Sequence, residues 1–230
     1  MRHFLSKEML AVNVMTFAVD PAIVAEFANP SRLPGRMISV APKRDKWNSD
    51  IEWISPEDEG GFAVFESAFQ RLGVPARVAE HLDLNREVRL YFGFLVVRSR
   101  CTEPYFHCDW RDLSNEAFTF MAPVSANANG FGLLYKRLTG DVGEYDYRSD
   151  EAIVFGDNFE HSTKPGETEE PVVLLSFEFG TDKMDRWPGI YDRLKKQAAL
   201  VRQPDGTFVR TGLEISRIVS EGQRTGALPE

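Results

Sequence analysis

At 230 residues, with 43% hydrophobic side chains, the chain has the material for one domain with a substantial core. A formal net charge of −8 argues against a general nucleic-acid or anionic-membrane surface, while leaving room for a local basic pocket that takes a small anion. No apolar run approaches the roughly 20 residues that span a bilayer, and the start, Met1 to Leu5, leads into Lys7 and Glu8 without the apolar stretch of a secretory signal. Two cysteines, Cys101 and Cys108, are too few for a disulfide framework, so the expectation is a cytoplasmic protein with free thiols.

Residues 1–19 read as a first strand or extended arm, with Ala11 to Met15 as its apolar part. Asp20-Pro21 is a helix start, a capping side chain followed by proline at the first helical position, and Ile23, Val24 and Phe27 give that helix one apolar face. Arg36 to Val40 reads as a short strand. The segment 43–61 is polar and shows no clear period, which predicts a long loop that helps shape a pocket. Phe62, Phe65, Phe69 and Leu72 then recur at helical spacing, and Pro75 opens a second short helix through Leu82.

From Val88 the pattern changes to strands. Val88 to Cys101, Ala117 to Val124, Gly132 to Arg137, Gly143 to Tyr147, Ala152 to Phe155 and Val172 to Phe179 are apolar runs separated by Gly, Asn, Asp and Pro. Short strands at this spacing predict a two-sheet antiparallel sandwich or barrel, with the earlier helices on the outside of one sheet. A final helix is expected over Asp182 to Leu200, with Trp187-Pro188 marking a candidate start. A Pro-Asp-Gly turn at 204–206 then suggests a small hairpin before a fraying end.

The chemistry concentrates in Tyr105-Phe106-His107-Cys108-Asp109-Trp110. A His and an Asp two positions apart in an extended segment point to one side and can share a divalent metal. The chain has four histidines, and His161 lies 54 positions downstream, just after another apolar strand. Two imidazoles and one carboxylate on a single face leave the opposite face of an ion open, which suits a non-heme Fe(II) centre that must bind a co-substrate and dioxygen together. Phe106, Trp110, Phe118 and Phe120 lie near these residues, but aromatics beside strands belong to the core more often than to a pocket wall.

The set His107-x-Asp109 with His161, between strands and behind a helical N-terminal part, resembles the Fe(II)/2-oxoglutarate-dependent dioxygenases of the double-stranded β-helix, or jelly-roll, fold. The resemblance covers roughly residues 88–180. The stretch from Ala152 to Asp157 before Phe159-Glu160-His161 is also similar to the distal-histidine segment of the aspartyl/asparaginyl β-hydroxylase branch. The resemblance implies a mainly β, α+β jelly-roll core over 88–180, a helical part over 1–87, and a C-terminal helix and tail over 181–230, all in one domain. It further implies that His107, Asp109 and His161 bind Fe(II), that 2-oxoglutarate and O2 are co-substrates, and that a small molecule or a protein side chain is hydroxylated with release of succinate and CO2. An Asp, rather than the Gly of some iron halogenases, favours hydroxylation over halogenation.

One departure stands out. Most of the family carry an Arg or Lys about ten residues after the distal histidine to pair with the far carboxylate of 2-oxoglutarate, and here that region is Glu169-Glu170-Pro171. The candidates to replace it are Arg98 and Arg100, which share strand parity, and Lys164; the planar fork of arginine suits a carboxylate best. Two alternatives remain: a cupin-like metal-binding or storage module, although cupins usually carry His-x-His where this chain has a single His, and a relative that keeps the metal ligands but no longer binds 2-oxoglutarate.

Overall fold

The computed structural model describes residues 3–40, 50–82 and 87–221, with backbone alone at 81–82. The predicted N-terminal arm is a run of short strands: β1 (Leu5–Ser6) pairs with β2 (Ala11–Val12), and β3 (Val14–Ala18) follows after Asn13. Asp20 caps α1 (Pro21–Ala25) by accepting the Ala22 N–H at 2.9 Å, as the Asp-Pro pair predicts. β4 (Met37–Val40) comes next.

The long loop expected over 43–61 needs correction. Residues 43–49 lie outside the described residues, but 52–56 form β5 (Glu52–Pro56), a strand inside the main sheet, and α2 (Glu59–Arg71) starts three residues later. Five residues between polar flanks carry too few alternations to reveal a period, and Pro56 is tolerated because it ends the strand. Asp58 caps α2 by accepting the Gly61 N–H at 2.7 Å. Phe62, Phe65, Phe69 and Leu72 are all buried, as their spacing predicts, and each contributes about 2 kcal/mol by leaving water. α3 (Val74–Leu82) completes the helical layer.

β6 (Val88–Cys101) has the predicted bounds. β7 (Ala117–Pro123), β8 (Gly132–Lys136), β9 (Val142–Asp146), β10 (Glu151–Phe155), β11 (His161–Thr163) and β12 (Gly166–Thr181) follow, the last longer than the sequence pattern at both ends. The predicted final helix contracts to α4 (Trp187–Leu194), begun at Trp187-Pro188. Leu200 belongs instead to β13 (Leu200–Arg202), which pairs with β14 (Phe208–Arg210) across the Pro-Asp-Gly turn. The chain then returns to the main sheet as β15 (Arg217–Ser220), paired with β4; residues 222–230 lie outside the described residues.

Eight strands form one antiparallel sheet in the order β15-β4-β5-β6-β12-β7-β10-β3, and β11-β8-β9 form a second, smaller sheet. Alternation divides the large sheet between two cores. Phe92, Phe94, Val96 and Leu174 join Leu133, Tyr135 and Tyr145 of the small sheet in the space between the sheets. Leu95, Leu175 and Phe177 pack instead against Phe62, Phe65 and Phe69 of α2 on the outer face. Phe118 and Phe120 belong to this helix-side core, in keeping with their reading as core residues.

Gly93, on the outer face of β6, is where α2 comes closest: a Cβ there would lie 2.5 Å from the Phe65 Cβ. The inflexible root of Phe65, rather than a movable side-chain tip, is what it would strike. Gly93→Ala is therefore expected to destabilise the fold by about 1–3 kcal/mol through overpacking, read as a lower urea midpoint with an unchanged slope. An unchanged midpoint would show that α2 does not sit against β6 at this point.

Candidate metal centre

The two ligand segments are laced together by backbone. His107 N–H donates to the His161 carbonyl at 2.8 Å, His161 N–H donates back to the His107 carbonyl at 2.9 Å, and Asn158 N–H donates to the Trp110 carbonyl at 3.0 Å. This reciprocal bridge sets two residues 54 positions apart side by side, with ring centroids separated by 4.6 Å. Arg193 of α4 adds a further tie by donating to the Asp109 carbonyl at 2.7 Å. Beyond Asp109, the backbone passes through left-handed conformations at Asp112, Ser114 and Asn115. The Asp157 carboxylate steadies this turn by accepting the Asn115 N–H at 2.9 Å.

The side chains converge. Asp109 Oδ1 lies 3.3 Å from His107 Nε2 and 4.0 Å from His161 Nε2, and one donor atom from each of the three residues falls within 4.8 Å of the others. Each imidazole is also held in one orientation: Nδ1 of His107 lies 2.9 Å from the Tyr105 carbonyl, and Nδ1 of His161 lies 3.1 Å from the Phe159 carbonyl. A carbonyl only accepts, so each of these contacts is made by an Nδ1–H, which leaves Nε2 as the ring nitrogen that faces Asp109 and would ligate a metal. His161 is buried at 4% exposure with Phe155 and Phe159 around its ring, while His107 and Asp109 are half-buried and face the opening.

Burial lowers the pKa of His161 below its usual value, and the Asp109 charge only partly offsets this. Burial pushes the Asp109 carboxyl upward, but His161, His107 and the Thr119 hydroxyl outweigh it and hold Asp109 well below the usual carboxylate range. The donor set near neutral pH is thus one anion with a neutral imidazole at His161. Because protons compete with metal for the Nε2 lone pair, Mn(II) affinity is expected to fall as pH drops below about 6.5, the ordinary imidazole value, toward the depressed one. The same depressed His161 pKa means the unfolded chain takes up the proton more readily, so apo stability also declines with falling pH in this range. A metal affinity that is flat across that range, measured by Mn(II) titration, would show that no imidazole ligates.

The triad faces a cavity between the sheets, whose lining includes Phe94, Val96, Arg98, Leu133, Ser176 and Glu178. Arg98 projects into it at 6% exposure; its Nη1 donates to Thr163 Oγ1 at 2.8 Å, and its buried Nε has no hydrogen-bond partner. The other two predicted cations sit elsewhere. Arg100 is exposed, with its backbone N–H donating to Asp50, and Lys164 is ion-paired with Glu144 at 2.6 Å and Asp146 at 3.2 Å; neither lines the cavity. A second groove reaches His107 and Asp109 from the other side and is bordered by Trp53, Tyr105, Arg193, Lys196 and Gln197.

Sequence reasoning did not single out Thr119 and Glu178, which both line the cavity beside Asp109. Their signal is a polar residue at an inward position of an otherwise apolar strand: Thr119 between Ala117 and Met121 in β7, and Glu178 after Leu174 and Ser176 in β12. Trp110 is buried, as expected, but its indole N–H also donates to Thr119 Oγ1 at 3.0 Å.

No family model matches the chain, and no curated protein matches its sequence. Solved structures do. HygX from Streptomyces hygroscopicus, with nickel and 2-oxoglutarate bound, superposes with a TM-score of 0.56 at 16% identity over 77% of this chain and 88% of that one. The fold is a double-stranded β-helix. The non-heme alpha ketoglutarate dependent epimerase SnoN from nogalamycin biosynthesis matches with a TM-score of 0.54 at 12% identity, over 95% of this chain and 88% of its own. A Trichoplax adhaerens prolyl hydroxylase, in complex with a hypoxia inducible factor peptide fragment, matches with a TM-score of 0.53 at 14% identity, over 76% and 86%. At such identities the likeness concerns architecture, so the chemistry of this double-stranded β-helix rests on its own side chains. None of its described helices is long and apolar enough to cross a membrane.

Proposed function

We propose that the chain is a single-domain Fe(II)- and 2-oxoglutarate-dependent dioxygenase that hydroxylates a small molecule or a peptide side chain. The observation that carries this reading is the convergence of His107, Asp109 and His161 on one wall of a cavity that also holds the buried, incompletely bonded guanidinium of Arg98.

The residues fit the groups this chemistry needs. Two Nε2 lone pairs and one carboxylate oxygen on a single face suit a divalent iron with open positions. A buried guanidinium with an orphaned N–H is costly alone and calls for an anion, as the far carboxylate of 2-oxoglutarate would supply. The register supports Arg98 in place of the absent downstream cation: Val172, eleven positions after His161, pairs directly with Arg98 across β12 and β6. The cation thus comes from the neighbouring strand at the level where the family usually supplies it from β12. Thr163 steadies the guanidinium from the other side.

When bound, iron and 2-oxoglutarate supply the oxidation of substrate by dioxygen with loss of succinate and carbon dioxide. The protein's part is orientation and exclusion of water. Nδ1 contacts to carbonyls hold both imidazoles, Asp109 offsets part of the metal charge, Arg98 binds the carboxylate, and Phe94, Val96 and Leu133 keep the interior apolar. Substrate enters by the groove between Trp53, Tyr105 and Gln197. HygX also forms a complex with hygromycin B, and the Trichoplax enzyme one with a peptide fragment; a small molecule and a peptide both fit this reading of the chain. The similarity of residues 152–161 to the aspartyl/asparaginyl β-hydroxylase branch supports hydroxylation without carrying over that branch's substrate. The free thiols of Cys101 and Cys108 fit a reducing, cytoplasmic setting.

Incubation with Fe(II), 2-oxoglutarate and air tests the reading, because slow substrate-independent conversion of 2-oxoglutarate to succinate is expected above the iron-free control. Tight metal binding with no succinate under any condition would favour the storage-module alternative.

A further inference from the structure

Thr119 Oγ1 stands at the meeting point of three polar groups. It lies 2.9 Å from Asp109 Oδ2, 3.1 Å from Glu178 Oε2 and 3.0 Å from the indole nitrogen of Trp110. A hydroxyl has one proton to give and two lone pairs to receive. The indole can only donate, which uses one lone pair. The remaining proton can serve Asp109 or Glu178 but not both. With both carboxyls ionised, one of these buried contacts would set two acceptors against each other with no hydrogen between them. A proton on one carboxyl removes the conflict, and Asp109, as the metal ligand, is the one that stays ionised.

We propose that Glu178 is a positioning residue acting as a neutral carboxylic acid: its O–H donates to Thr119, and Thr119 donates to Asp109 Oδ2, so that only Oδ1 is presented to the metal. This rests on the reading of His107, Asp109 and His161 as a metal site. The surroundings of Glu178 agree with it. Strand alternation turns this carboxyl into the cavity at 3% exposure, and no ion pair to it is formed among the described residues. Burial and then the Asp109 charge push its pKa well above the usual value, against weaker opposite pulls from Thr119 and Arg193. These three act on it from Asp109 in the segment before β7, Thr119 in β7 and Arg193 in α4, while Arg98, His107 and His161 line the same cavity. With Oδ2 occupied by the Thr119 proton, Asp109 is kept from chelating through both oxygens, which leaves coordination positions for co-substrate and dioxygen. A neutral Glu178 also spares the site a second negative charge.

Mn(II) titration of the full chain, with free metal read by electron paramagnetic resonance, separates the donor role from a merely structural one. Thr119→Val and Glu178→Met are expected to weaken Mn(II) binding by about 10- to 100-fold, the usual loss when an outer-shell partner of a metal ligand is removed. Glu178→Gln, whose amide N–H replaces the carboxylic O–H, is expected to stay within about 3-fold of wild type. Should Glu178→Met fail to fold, the contrast between Thr119→Val and Glu178→Gln carries the same test. Loss of affinity in Glu178→Gln as large as in Glu178→Met, or wild-type affinity in Thr119→Val, would overturn the proposal while leaving the metal site intact. A wild-type chain with no Mn(II) affinity would overturn the metal reading and this inference with it.

Discussion

His161→Ala is expected to abolish divalent-metal binding and, with it, succinate release. Removing an outer-shell partner typically costs about 10- to 100-fold in metal affinity, and removing a direct ligand from a three-ligand set should exceed that. His161 is the ligand whose loss is least easily compensated. Its ring is 4% exposed and hemmed in by Phe155, Phe159 and His107, so no other described side chain with a ligand atom is placed to take its position. The effect can be read without any knowledge of substrate. A metal that binds only the folded state adds about 2.7 kcal/mol of stability when its free concentration is 100 times its Kd. Wild type should therefore show a metal-dependent rise in Tm, and His161→Ala should show none. A variant that kept the full rise would mean the metal sits elsewhere.

Arg98→Leu is expected to raise the Kd for 2-oxoglutarate by about 30-fold or more, since a buried hydrogen-bonded charge pair loses roughly 2–5 kcal/mol when one partner is truncated and each 1.4 kcal/mol is tenfold. Mn(II) affinity in the absence of 2-oxoglutarate should stay near wild type, because Arg98 is not among the grouped metal-ligand donors. The apo protein should lose little stability, because leucine removes a buried cation whose Nε has no hydrogen-bond partner and for which no carboxylate ion pair is formed among the described residues. Loss of co-substrate affinity together with unimpaired folding is the signature of a residue kept for a ligand. Calorimetric titration of the Mn(II)-loaded variant gives the first quantity and urea unfolding the second. Unchanged 2-oxoglutarate affinity would move the anchor away from Arg98, with Arg100 and Lys164 the first to re-examine.

The parts of this molecule that depend on local pattern were readable from the chain. The Asp20-Pro21 cap, the apolar stripe from Phe62 to Leu72 and the limits of the Val88–Cys101 strand each follow from spacing a few residues long. The grouping of His107, Asp109 and His161 as candidate ligands rests on equally local signals, because His107 and Asp109 share a parity and His161 follows a strand. What spacing did not contain is the pairing itself: the bridge between His107 and His161 is a contact across 54 positions. The proposed anchoring cation shows the same limit from another side. Parity gives Arg98 and Arg100 a common direction but says nothing of depth, and only Arg98 lies under the opposing sheet while Arg100 reaches solvent. Lys164, next to Thr163 of the cavity wall, is drawn away by Glu144 and Asp146 on other parts of the chain. Thr119 and Glu178 escaped notice because a polar residue in a strand reads as solvent-facing until the second sheet is known to cover it. The C-terminal segment was over-extended as helix because the pairing of Leu200–Arg202 with Phe208–Arg210 outweighs its local helical preference.

The central claim is that one ion is held by His107, Asp109 and His161 while 2-oxoglutarate reaches the same ion from the Arg98 side. Anaerobic addition of Fe(II) and then 2-oxoglutarate tests it most directly. A weak visible charge-transfer band should appear only when both are present, and it should vanish in His107→Ala. Iron that binds without producing the band when saturating 2-oxoglutarate is added, or a band that survives in His107→Ala, would contradict the account.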